Sequence, residues 1–275
     1  MIANLMRNLR RNLRRNLRFV RMLVKLRLSH MMVFRLSFFG AFFADASLFA
    51  VQLLAFSAIY SQVDSIGDWG RGRMLIFIGT FSMINALNMV IFFFGIVEIP
   101  DKIREGALDL YLTKPVSPLL RLTFESVNPG SIPLIILSAA IVVYGLSVEG
   151  LAVTPVAVIG YIALTLLMTL LWYDTMLIIR TIPFFVIAGD SIGWFEGIMF
   201  ELNMKIPGVL YKGVFKLLFY FVLPYGIMAT VPTQLLTGVL SLPALVHALC
   251  IVVFFTVFAI WFWRLGVRHY KSPSS

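Results

Sequence analysis

Residues 98–121 read EIPDKIREGALDLYLTKPVSPLLR, a densely charged segment between two long apolar runs, Met74–Val97 and Ile132–Val148. Pro100 suits a first helical turn, where its missing N–H costs nothing. Asp101 and Glu105 fall toward the positive end of the helix dipole. Ile103, Ala107, Leu110 and Tyr111 recur at i, i+4, i+7 and i+8 and form one apolar stripe, with Lys102, Arg104, Glu105 and Asp109 on the remaining surface. Pro115 disfavours a helical Lys114. The spacing therefore predicts an amphipathic helix over Asp101–Thr113, about three turns long, that lies on a membrane surface or docks into a partner's groove.

Working outward, the flanking runs make the chain a membrane protein. Its 275 residues are 60% hydrophobic and 13% charged, with mean hydropathy +0.93, whereas a soluble domain carries about 25% charged residues. Six apolar runs follow residue 35: Leu36–Tyr60, Met74–Val97, Ile132–Val148, Val153–Ile179, Val214–Leu236 and Leu242–Leu265. Each is long enough for a span of about 20 residues. Phe184–Phe200 is apolar but split by Asp190, Gly193, Glu196 and Gly197, and reads as an interfacial or cytoplasmic helix, not a seventh span. The fold class expected is all-α and polytopic, with six transmembrane helices.

Charge placement sets the orientation. Ten of the 23 Lys and Arg precede residue 36. With both chain ends inside, 21 of the 23 face the cytoplasm and only Arg71 and Arg73 lie outside, as the positive-inside rule requires. Residues 98–121 are then a cytoplasmic loop. The excess positive charge sits in one N-terminal stretch containing three RNLR units, at 7–10, 11–14 and 15–18. On a helix, Leu5, Leu9, Leu13, Leu17, Val20 and Val24 share one side, and Arg7, Arg10, Arg11, Arg14, Arg18, Arg21 and Lys25 the other. This is the pattern of an interfacial helix on an anionic leaflet. A solvated tail or a mitochondrial presequence shares part of it, and nucleic acid is the weakest fit.

The loop motif carries a family resemblance. GALDLYLTKPVSPLL resembles the cytoplasmic-loop signature of permease subunits in the second class of ATP-binding-cassette exporters, the six-span branch reading G-x-L-D-x-x-L-x-(K/R)-P-x-x-P. Gly106, Leu108, Asp109, Leu112, Lys114, Pro115 and Pro118 stand where that pattern puts them. Ile206–Gly238, with Pro224 and Pro232, is similar to the family's fifth span, and Ile66–Trp69 is a fainter echo. The resemblance spans most of residues 20–270.

It implies a division into a basic interfacial helix (1–30), a six-span permease domain (31–270) and a short tail (271–275). It also implies a prokaryotic inner-membrane location, a homodimer or a pair with a sister permease, and a separate ATPase subunit that binds ATP and Mg. The loop would couple to that ATPase through Asp101, Ile103, Arg104, Glu105, Gly106, Leu108, Asp109, Leu110, Tyr111, Lys114, Pro115 and Pro118. Where the fifth span breaks between Pro224 and Pro232, the resemblance implies an outer gate; an ordinary proline kink is the alternative.

The remaining chemistry is sparse. No G-x-x-x-x-G-K-[ST] and no G-x-S-x-G occurs, His30, His247 and His269 match no metal spacing, and Cys250 is the single cysteine. These absences argue against an enzyme and leave the chain no expected cofactor of its own. Asp45 and Asp174 lie inside spans, where a carboxylate is costly. Each is either part of a substrate or proton path, or structural, with Asp174 paired to a base such as Arg180. Asn85 and Asn88 are expected to bond across a helix contact, with a place for Asn85 on the substrate path as the alternative. A membrane-embedded lipid enzyme or assembly factor, or an ion-coupled transporter, is the rival function.

Overall fold

A computed structural model describes residues 15–27, 29, 35–186 and 191–271. Residues 15–27 form helix α1, with Arg18, Arg21 and Lys25 exposed, Val20 and Val24 partly covered, and Leu17 also exposed. The other basic positions expected on it, Arg7, Arg10, Arg11 and Arg14, lie outside the described residues. The first apolar run folds as α2 (Arg35–Ile59), and a hairpin follows. Its strands β1 (Ser65–Ile66) and β2 (Trp69–Gly70) pair Ile66 with Trp69, and Gly67 supplies the positive φ such a tight turn demands. Trp69, which its place beside the first outer loop suggests as an interface anchor, is instead buried. It packs edge-on against Phe77 at 5.7 Å and accepts the Tyr60 hydroxyl on its carbonyl at 2.9 Å.

α3 (Arg71–Ile91) is the most buried long helix. Four short helices follow: α4 (Phe93–Val97), α5 (Ile99–Arg104), α6 (Asp109–Leu112) and α7 (Pro118–Phe124). The chain then runs through α8 (Ile132–Glu149), α9 (Pro155–Thr181) and α10 (Ser191–Lys205). α10 covers most of the segment expected as a helix short of a span, and it is not among the span-length helices. Next come α11 (Gly213–Leu217), a π-helical turn over Leu218–Val222, α12 (Tyr225–Met228), α13 (Thr230–Leu236) and α14 (Leu242–His269).

Among the described residues, four stretches are long and apolar enough to cross a membrane: Arg71–Ile91, Pro129–Glu149, Pro155–Phe184 and Leu242–His269. Gly213–Val222 with Tyr225–Leu236 makes a fifth if the pair, bent by 79°, is one span. The apolar part described in α2, Phe49–Ile59, is shorter. The chain is an all-α polytopic membrane protein.

The spans pack as their small residues allow. A Cβ on Gly79 of α3 would meet Val142 Cγ2 at 2.7 Å, and one on Gly145 of α8 would meet the Ile76 backbone nitrogen at 2.9 Å. These glycines let two backbones approach closely where lipid supplies no hydrophobic drive. α9 sits at the centre, against α3, α13 and α14. The outer faces stay apolar: Ile136 and Val143 on α8, and Val253 and Val257 on α14, are all exposed. In water such faces would aggregate; against lipid tails they need no cover.

Candidate functional site

The charged loop is folded tightly against the spans. Its expected single helix is two, α5 and α6, because Gly106 takes φ +73° just past the end of α5. A left-handed residue ends a helix, and the Leu108 amide then turns back to donate to the Lys102 carbonyl at 3.0 Å. The break rotates the expected apolar stripe apart. Leu108 and Tyr111 turn inward and are buried, Ile103 and Ala107 are half-covered, and Leu110 points out at 65% exposure. The downstream expectation fares better: α6 ends at Leu112. Pro118, singled out only as part of the loop motif, opens α7 behind Ser117, whose hydroxyl accepts the Leu120 amide at 3.4 Å.

A polar cluster fixes this geometry. Glu125, unremarkable in the sequence, accepts the Tyr111 hydroxyl and pairs with Arg121 at 3.2 Å. Lys102 pairs with Glu98 and lies 3.9 Å from Glu125. The Arg121 guanidinium stacks over the Tyr111 ring, 4.4 Å from its centroid. Burial, and then the Glu125 carboxylate, push the Tyr111 phenol above its ordinary pKa, so it stays protonated as a donor. The cluster is clamped to the bundle. A Cβ on Gly95 would lie 1.8 Å from the Leu122 carbonyl oxygen, so α4 and α7 touch backbone to backbone. The Thr123 and Tyr173 hydroxyls bond at 2.9 Å. Asp101, Arg104, Glu105, Leu110, Lys114 and Pro115 remain exposed on the far side.

A cavity of about 190 Å³ lies between the ends of α3 and α9 and the flank of α10, with Met89, Phe93 and Trp172 in its wall beside several polar side chains. Arg180 on α9 pairs with Glu196 on α10 at 2.5 Å, both buried. Asn88 and Tyr225 are buried in the same wall, and Asn85 is half-buried. Asn85 Oδ1, Asn88 Oδ1, Arg180 Nε and the Tyr225 hydroxyl have no hydrogen-bond partner among the described residues. The expected bonding of the asparagines across a helix contact is therefore not seen at these oxygens. Asn85, Met89 and Gly197 also line a second cavity of about 800 Å³, walled by α2, α3 and the Ile206–Leu210 segment.

The other residues singled out by sequence fall elsewhere. Asp174 is buried on α9 and accepts the Thr256 hydroxyl of α14 at 2.5 Å; its expected partner, Arg180, is taken by Glu196. Of Asp45 only the backbone within α2 is described. Pro224 stands at the 79° break, after a π-helical turn and an extended Leu223. Pro232 is the third residue of α13, where a missing N–H is tolerated. The bend therefore falls at Leu223–Pro224 and not at Pro232. Gly208 holds the far side of the break: a Cβ there would come within 1.9 Å of the Gly226 carbonyl oxygen, and its amide donates to Thr230 at 2.9 Å. Among the described residues no three His, Cys, Asp or Glu come together as metal ligands.

Residues 46–274 match the family model described as ABC-2 family transporter protein. No curated protein and no solved structure matches.

Proposed function

Because the chain belongs to the ABC-2 family of transporters, we propose that it is the permease subunit of an exporter driven by a separate ATP-binding subunit, with residues 98–121 as the docking loop. The family makes it a transporter component and not an enzyme. The observation that carries the docking reading is Leu110, held out at 65% exposure on a base whose neighbours Leu108 and Tyr111 are buried. A preformed apolar knob among charges is what a partner's groove recognises. Burying it contributes about 2 kcal/mol. The charged residues of the same loop, Asp101, Arg104, Glu105, Asp109 and Lys114, would set register and partner choice.

In this reading α2 is the first of six spans and the bent pair at Pro224 is the fifth, with the break as an outer gate. The loop and both chain ends face the cytoplasm across a prokaryotic inner membrane. The basic N-terminal helix lies on the anionic leaflet. A homodimer or a pair with a sister permease encloses the substrate path, with Asn85 on its wall, and ATP and Mg bind the partner subunit.

Co-purification tests this. The detergent-solubilised chain, expressed with its genomic neighbours, is expected to bring down a P-loop ATPase. Leu110→Asp should weaken that contact by roughly 2 kcal/mol, about thirtyfold in dissociation constant, and Asp109→Lys should weaken it further. An ATPase absent from the wild-type sample, or bound equally by both variants, would rule out this use of the loop.

A further inference from the structure

We propose that the two joined cavities form a binding site for an amphiphile with an uncharged, hydrogen-bonding head: the head sits among Asn85, Asn88, Arg180 and Tyr225, and the apolar body in the larger chamber. The inference rests on the transport reading and not on the docking loop.

The head class follows from the unused bonding capacity and the charge balance of the small cavity. Asn88 and Tyr225 are buried, yet the Asn88 and Asn85 carbonyl oxygens, the Tyr225 hydroxyl and Arg180 Nε find no partner among the described residues. The four residues all line one cavity, and each carries a buried polar atom that costs stability while it lacks a partner. They offer acceptors and donors together, which suits an amide, a hydroxyl or a sugar. The two charges in the wall, Arg180 and Glu196, neutralise each other at 2.5 Å. A charged head would enter without a counterion, at a cost far above that of a neutral one.

The body class follows from the larger chamber. On α3 its wall runs from Met74 through Phe81 to Met89, about 22 Å at 1.5 Å per residue. Phe49 and Phe56 of α2 and Leu134 of α8 complete a largely apolar lining. Asn85, Met89 and Gly197 line both cavities, so a head in one is continuous with a body in the other. Glu201 is the carboxylate on the chamber wall, and it is exposed; a cationic amphiphile is therefore the rival to exclude.

The experiment uses the full chain in lipid nanodiscs and three radiolabelled probes sharing a dodecyl chain, below their micellar concentrations. The heads are an N-methylglucamide (neutral), a trimethylammonium (cationic) and a phosphate (anionic). Saturable binding is expected for the neutral probe alone. Asn88→Leu removes an unpartnered oxygen and keeps the branched shape and heavy-atom count of the side chain; Gly197→Leu fills the junction, where an added Cβ meets nothing within 4 Å. Each should weaken the neutral probe at least tenfold with the unfolding temperature unchanged. Saturable binding of a charged probe that Asn88→Leu abolishes would overturn the head class. Neutral binding that survives both variants, or none in the wild type, would overturn the site. No step needs an ATPase, so a failed co-purification leaves this result standing on its own.

Discussion

Two polar clusters lie side by side at one end of this bundle and are built oppositely. Around Tyr111 and Glu125 the donors and acceptors are spent on one another: hydroxyl to carboxylate, Lys102 and Arg121 to Glu125, guanidinium over ring. Around Asn88 only the Arg180–Glu196 pair is closed, while four polar atoms have no partner among the described residues. A satisfied cluster fixes geometry, and here it holds Leu110 outward. A half-satisfied one leaves bonding capacity at the expense of stability, and a ligand that completes it would recover that cost. On the proposed reading, the contrast separates a platform for a motor from a pocket for a cargo.

The largest effect should come from breaking the one closed pair of the cavity. Arg180→Met leaves Glu196 buried without its counterion, and about 3–5 kcal/mol of stability should be lost. Adding Glu196→Gln should recover most of the unfolding temperature in detergent. A double variant no better than the single would mean that the pair does not hold α10 in place.

Glu125→Ala comes next. It strips partners from the Tyr111 hydroxyl, Arg121 and Lys102, and should cost about 1–3 kcal/mol. It should also weaken ATPase co-purification, although Glu125 faces inward, because Leu110 loses its base. Lowered stability with undiminished co-purification would show that the platform does not position the knob. Thr256→Val removes the α9–α14 bond to Asp174 and should cost about 1 kcal/mol by thermal unfolding. It should leave both loop and cavity functions in place, which distinguishes a tie between spans from a substrate group.

The smallest stability effects sharpen the comparison most. Leu110→Asp and Asn88→Leu should each stay within about 0.5 kcal/mol of wild type, one site being exposed and the other relieved of a buried oxygen. A fall of several degrees in either would mean the residue serves the fold instead of a partner.

How much of this was legible follows from the range of each interaction. Spans depend on local hydropathy, and the runs from Ile132, Val153 and Leu242 appear as helices within a few residues of their expected ends. Pro115 acts on its immediate neighbour, and the end of α6 falls accordingly. The loop helix failed at Gly106, because periodicity averages over a residue whose positive φ turns the stripe by itself. A glycine followed by a new Leu-Asp start was the signal available. Glu125, fourteen residues from Tyr111, and Glu196, sixteen from Arg180, depend on tertiary contacts that no local pattern carries. The same holds for Asn88, whose role rests on what fails to reach its side chain.

The most direct test joins the two clusters in one preparation: the chain and its ATPase reconstituted in vesicles, with ATP hydrolysis followed as the neutral dodecyl probe is added. The wild type should be stimulated by the probe. Asn88→Leu should lose the stimulation, while Leu110→Asp should lose hydrolysis with and without the probe, its fold intact. Hydrolysis indifferent to the probe in the wild type, or stimulated equally in Asn88→Leu, would contradict the division into platform and pocket.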